Sequence, residues 1–219
     1  MRRIGVAMAG TAVLAAWWSR HRWANWGSTP EERARAWPGE ASIPAPSSAT
    51  TLAVSIAAPP ERVWPWLVQI GQDRGGMYSY ERLENLFGLG IHNADEVHPE
   101  WQALEPGDRV LVVSPGRMGM PDGYAFPVEE IEAPHHLVLR QAPPEHPWNA
   151  VWTFILEPGG GGTRLVSRSR AERQAGAAGR VADLAGLVMA PIVVLMTRRM
   201  LLGIKERAER AERAGTSRA

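Results

Sequence analysis

Alternating apolar and polar positions mark most of the chain after Thr51. Leu52, Val54 and Ile56 share one side of residues 51–57, the period of a strand with one buried face. Pro59 and Pro60 then open a helix over 61–70, with Val63, Trp64, Leu67 and Ile70 on its apolar side and Pro65 inside it. A second helix is predicted over 79–87, stopped by Gly88. Strands follow at 109–113, 124–132, 137–141, 150–157 and 163–170, the last two joined by a turn of Pro158 and the glycines after it. In that final pair Trp152, Phe154 and Leu156 fall on one face with Leu165, Ser167 and Ser169. Arg164, Arg168 and Arg170 fall on the other, which is expected to be the wetter one. From Gly179 to about Arg213 the pattern is helical. Its apolar part, 184–196, is bounded by Asp183 and Arg198 and is too short to span a bilayer, so it reads as a core helix. Glu206–Arg210 and Glu209–Arg213 stand at i,i+4 spacing on its solvated tail.

Ahead of the domain the pattern changes. Residues 4–18 carry no charge, between Arg2-Arg3 and Arg20-His21-Arg22. As a helix this run is about 22 Å long against a hydrocarbon core of ~30 Å. An uncleaved membrane anchor is the favoured reading. A signal peptide and a soluble helix are the alternatives, and the run ends in Trp17-Trp18, not in a small-residue cleavage site. Residues 1–26 are therefore expected as an anchor with a basic and tryptophan-rich flank. The domain is expected on the cytoplasmic side, or secreted if the run is a signal. Residues 27–50 read as a linker. A short helix starts at Thr29-Pro30-Glu31-Glu32 in capping-box form, and a Pro/Ser/Ala stretch after it is expected as an extended tether. The domain is placed at 51–213 and a tail at 214–219.

Composition narrows the function. The 219 residues include 24 basic and 23 acidic side chains, a net charge of +1, which gives no reason to expect a nucleic-acid partner. There is no cysteine, so disulfides and thiolate chemistry are excluded. Half of the ten tryptophans (Trp17, Trp18, Trp23, Trp26, Trp37) fall in the first 37 residues, as in an interfacial aromatic belt.

The chemistry-bearing residues gather in 69–102. Arg74-Gly75-Gly76 reads as a sharp turn, since the pattern of a nucleotide loop is missing. Tyr78 and Tyr80 point apart on a helix start, one to the core and one to a pocket. Glu81, Glu84 and Asn85 form either a solvated helix face or, at Asn85, a buried amide that needs partners. His92, Asp95 and His98 match no metal-ligand spacing. His92 with Asp95 is instead a candidate hydrogen-bonded pair, tying a loop or orienting an imidazole. Trp101 is a stacking wall or a plug beneath the loop. No complete catalytic motif is present, and no cofactor is expected.

The order of strand, paired helices, antiparallel strands and long C-terminal helix resembles the START-like, polyketide-cyclase-like superfamily. The resemblance rests on APPERVWPWLVQIGQ (58–72), VWTFILEPGGGGTRLVSRSR (151–170) and MTRRMLLGIKERAE (196–209). It implies an α+β helix-grip fold, a curved antiparallel sheet wrapped on a long helix, with a ligand cavity between them. Trp152, Phe154, Ser167, Ser169, Leu187 and Met196 would line that cavity. Tyr78, Tyr80, Asn85, His92, Asp95 and Trp101 would close one end, and the loops at 114–123 and 142–148 would gate it. The function implied is binding of a hydrophobic or amphipathic small molecule (lipid, isoprenoid or polyketide-like) by a domain tethered to a membrane through residues 4–18. The alternative is a cyclase or dehydratase moving protons with His92, Asp95, Tyr78 or Tyr80.

Overall fold

The apolar alternation closes into one antiparallel sheet. The computed structural model describes residues 23–86, 88–117, 119–146, 148–172 and 176–216, without the side chains of 176–188 and 216. Helix α1 (Pro30–Ala34) and a 3-10 turn (Glu40–Ser42) precede β1 (Ser48–Ile56). Helices α2 (Pro60–Val68) and α3 (Glu81–Leu86) lead to the strands β2 (Arg109–Val113), β3 (Tyr124–Glu132), β4 (His136–Gln141), β5 (Ala150–Gly159) and β6 (Gly162–Ala171). Helix α4 (Gly176–Thr216) follows. The six strands run in the order β1-β6-β5-β4-β3-β2, all pairs antiparallel. Register shifts in the β2–β3 and β3–β4 pairs mark the bulges that bend a sheet. The architecture is α+β and compatible with a helix grip.

Register confirms the expected faces of the last hairpin. Trp152 lies opposite Ser169, Phe154 opposite Ser167 and Leu156 opposite Leu165. The core forms where the C-terminal half of α4 crosses this face: Met200, Leu201, Ile204 and Ala208 join Leu52, Phe154, Leu156, Leu165 and, from α2, Val63 and Leu67. Gly203 lets α4 approach the loop before α3, because a Cβ there would sit 2.3 Å from the Tyr78 carbonyl oxygen. Tyr78 itself holds a φ of 50°, unusual for a residue with a side chain.

The outer face is not the wet surface expected, and the preceding segment does not run as an extended tether. The chain from Trp26 to Ser47 is strapped across that face. Gly27 bridges to Leu52 at the β1 edge. Trp37 then packs with Ala53, Ile155 and Val166, and Ile43 with Val138 and Val151. Helix α1 has the predicted capping box, and its Glu32 also takes the Arg164 guanidinium at 2.7 Å. Glu40, only 7% exposed, accepts from Arg168 Nε at 2.6 Å and from Arg170 Nη1 at 3.0 Å. Arg168, 8% exposed, also donates to Thr51 Oγ1 and to the Arg33 carbonyl. The alternating arginines of β6 are thus neutralised by the strap.

The membrane partnership expected through residues 4–18 is corrected here. Among the described residues no helix is long and apolar enough to cross a membrane. The run itself lies outside the described residues. Of the tail placed at 214–219, residues 214–216 continue helix α4, and 217–219 lie outside the described residues.

Candidate functional site

Side-chain amides organise the stretch that held most of the candidate site residues. Gln69, fully buried after the end of α2, donates to the Tyr78 hydroxyl at 2.7 Å and to the Glu96 carbonyl at 3.0 Å. Its Oε1 accepts from the His98 amide at 3.1 Å and from Gln102 Nε2 at 3.3 Å. Gln72 bridges the Leu89 carbonyl and the Ser114 amide. Asn93 Oδ1 accepts from the Tyr78 amide at 2.6 Å. Asn85 clasps Ile91 both ways, donating to its carbonyl at 2.9 Å and accepting from its amide at 2.7 Å. Irregular backbone packed this closely needs partners for its amides and carbonyls, and these side chains supply them.

Those contacts decide what the predicted residues do. Tyr78 is buried, edge-on to Trp66 and beneath the Arg207 guanidinium at 4.7 Å, with burial pushing its hydroxyl up to about 12. Asn85 is the buried amide with partners. Tyr80, half-buried, starts α3 by accepting the Glu84 amide. His92 and Asp95 do not pair with one another. The His92 ring, 86% exposed, stands 3.4 Å from Glu81, whereas Asp95 takes Arg207 of α4 at 3.1 Å. Trp101, half-buried, rests on the His98 ring with centroids 4.2 Å apart. Met196 is half-buried and its carbonyl accepts from Ser79 Oγ at 3.2 Å; the side chain of Leu187 lies outside those described. Tyr78, His92 and Asp95 are thus engaged by Gln69, Glu81 and Arg207 and not by one another. Among the described residues no group of three His, Asp or Glu side chains is placed to hold a metal.

Truncating Asn85 to alanine strands two Ile91 backbone groups and is expected to cost about 1–3 kcal/mol. Urea melts should show that loss with no change in bound ligand. A loss of ligand without destabilisation would return Asn85 to the pocket.

The sheet offers a different candidate. On its helix-side face Tyr124, Phe126 and Trp152 stay half-buried, although Phe154 beside them is fully buried. They form a continuous row. Trp148 lies 5.9 Å from Tyr124, Tyr124 lies 5.5 Å from Phe126, Phe126 lies 5.6 Å from Trp152, and Trp152 lies 4.7 Å from Phe154. Buried polar groups fix the rings. Gln141 Oε1 accepts from the Tyr124 hydroxyl at 2.8 Å and from Trp148 Nε1, while its Nε2 donates to the Ala125 carbonyl. Trp152 Nε1 donates to Ser167 Oγ at 2.9 Å. Burial raises the Tyr124 hydroxyl above its ordinary range, so it stays a neutral donor. Ser169, half-buried opposite Trp152, adds a hydroxyl at the margin. Of the expected lining residues, Trp152 and Ser169 are partly exposed, whereas Phe154 and Ser167 are buried.

No protein-family model matches the chain, and no curated protein does either. Several solved structures are similar to it. A Thermus thermophilus protein is 22% identical, with 75% of this chain and 99% of that one covered and a TM-score of 0.41. A Mesorhizobium loti protein is 18% identical over 74% of this chain and 98% of its own, with a TM-score of 0.39. An Arthrobacter aurescens protein is 19% identical over 72% and 86%, with a TM-score of 0.40. Likeness at this level says nothing about what this chain binds.

Sequence reasoning missed Tyr124, Phe126, Gln141 and Trp148. The signal was present: Tyr124, Phe126 and Val128 alternate along β3, and Leu137, Leu139 and Gln141 along β4. Two surface grooves lie elsewhere. One of about 440 Å³ sits at the Gly159–Gly162 turn beside Lys205, and one of about 490 Å³ runs between Trp37 and His136.

Proposed function

We propose that this chain is a START-like, helix-grip protein that binds a hydrophobic or amphipathic small molecule against the helix-side face of its sheet. The observation that supports this reading is the aromatic row from Trp148 to Trp152. Large rings normally finish a core; here Tyr124, Phe126, Trp148 and Trp152 stay partly exposed on the face that is the core everywhere else. Their polar atoms are held by Gln141 and Ser167, so what remains toward the open side is ring surface with the Ser169 hydroxyl at its edge. A surface of that kind gains about 25 cal/mol per Å² of apolar area when a ligand covers it. The cyclase reading finds no such support, because Tyr78, His92 and Asp95 are spent on Gln69, Glu81 and Arg207.

The test is native mass spectrometry of the purified full chain, followed by titration with a long-chain fatty acid, a farnesyl-type alcohol and a fused-ring aromatic, read by tryptophan fluorescence. One of the three should bind, and Trp152→Ala or Phe126→Ala should weaken it by about tenfold or more, 1.4 kcal/mol, with the melting midpoint tracked in parallel. Absence of any bound mass together with no response to all three ligands would remove the reading.

A further inference from the structure

Where the partly exposed part of the aromatic row ends, at Trp152, two hydroxyls stand beside it. Thr50 of β1 lies opposite Ser169 of β6, and Ser169 lies opposite Trp152 of β5, so the three share one line across the helix-side face. Thr50 and Ser169 are both partly exposed. Ser167, two residues along, has its Oγ taken by Trp152 Nε1. The hydroxyls of Thr50 and Ser169 have no hydrogen-bond partner among the described residues. Side chains directly opposite one another on a sheet have Cβ atoms about 5 Å apart, close enough for one ligand oxygen to meet both. Each hydroxyl can donate and accept, so the pair suits an alcohol or a carbonyl oxygen.

Charge is kept to the other side of the sheet. Arg164, Arg168 and Arg170 alternate with Leu165, Ser167 and Ser169 and meet Glu32 and Glu40 of the strap, while Arg140 of β4 takes Glu129. Along α4, Arg198 lies over the Trp26 ring, Arg199 pairs with Glu206 and Arg207 with Asp95. Among the described residues, no charged side chain of the strands stands in register with Trp152 and Ser169. A carboxylate or ammonium drawn from water onto that face would lose its hydration with no opposite charge to replace it, a larger loss than two hydroxyls restore. A neutral oxygen loses far less and gains both hydroxyls. We infer that the ligand is uncharged and carries a hydroxyl or carbonyl oxygen, which Thr50 and Ser169 hold while its apolar skeleton covers the rings. This inference rests on the reading of the aromatic row as a ligand surface and adds the class of head group.

The probes are an alcohol, the matching carboxylic acid and the matching primary amine on one isoprenoid skeleton, and the same three on one fused-ring skeleton. They are titrated by calorimetry into the full-length protein at pH 7, where the acid and the amine are charged. On the skeleton that binds, the alcohol should bind at least about tenfold tighter than either charged relative. Combining Thr50→Val with Ser169→Ala should weaken the alcohol by about five- to tenfold. The same double variant should bind the hydrocarbon of that skeleton as the natural chain does, which also reports that it is folded. An acid or amine bound as tightly as the alcohol, or an alcohol preference that survives the double variant, overturns the inference and leaves the ligand surface standing. If no probe on either skeleton binds, the ligand surface is lost and the inference with it.

Discussion

Glu40→Ala is expected to cost about 3–5 kcal/mol of folding stability, a large share of what a domain of this size has. The reason is placement, not the count of ion pairs. Surface pairs such as Arg35–Glu157, whose side chains are 58 and 34% exposed, contribute little because water screens them. Glu40 and Arg168 are different: their side chains are 8 and 10% exposed, and the same carboxylate also serves Arg170. Removing it leaves two guanidinium groups on the covered face of the sheet with only Thr51 and the Arg33 carbonyl for company. The strap should loosen with it, exposing Trp37 and Ile43. Urea denaturation followed by tryptophan fluorescence measures the loss. Adding Arg168→Met to Glu40→Ala should recover part of it, since an apolar side chain tolerates that face better than an unpaired cation. A loss below about 1 kcal/mol for Glu40→Ala would mean that the strap is held by its apolar contacts alone.

The strap shows where sequence reading stops. Strands β2 and β3 have the predicted limits, and β5 and β6 extend one or two residues beyond theirs, because two-residue alternation survives in any sequence whose sheet has one apolar face. The strap has no period. Its buried residues, Trp37, Glu40 and Ile43, are separated by Pro38-Gly39 and Ala41-Ser42, and that composition reads as linker. One clue was available on the other side of the contact. Arg164, Arg168 and Arg170 stand on one face of a central strand, and three cations on one face of a sheet call for acids to cover them.

The loop from Gln69 to Gln102 fails in a different way. Gln, Asn, Tyr and His suit a pocket wall and also suit the satisfaction of irregular backbone, and residue type cannot tell the two apart. Only contacts do. Gln69 and Asn85 satisfy backbone groups of the loop itself. The aromatic row was hidden for the opposite reason. Tyr124 and Phe126 look like any core-facing strand positions until the structure shows the cover over them to be incomplete.

The second large effect is a pH dependence set by Glu84. This residue is 3% exposed on α3, and its Oε2 has no hydrogen-bond partner among the described residues. Burial, and then the Glu81 charge, push its carboxyl from an ordinary 4.5 up to about 7. The folded protein therefore binds a proton that the unfolded chain has already released, so stability falls as pH rises from 4.5 and levels off above about 7. A separation of roughly 2.5 pH units corresponds to about 3 kcal/mol across that window. The lowered carboxyls act elsewhere. Arg199 holds Glu206 below its ordinary range, and at Glu32 burial is outweighed by Arg164, Thr29 and Arg33 acting together, so the stability these two carboxyls add is present above pH 4.5 and is lost only as pH falls below it. Glu84→Gln keeps the shape and never ionises. Urea midpoints measured from pH 5 to pH 8 should slope downward for the natural chain and lie flat for the variant, with the variant more stable by about 3 kcal/mol at pH 8 and close to equal at pH 5. If the two slopes coincide, the Glu84 carboxyl is reached by water when ionised and its charge is not buried.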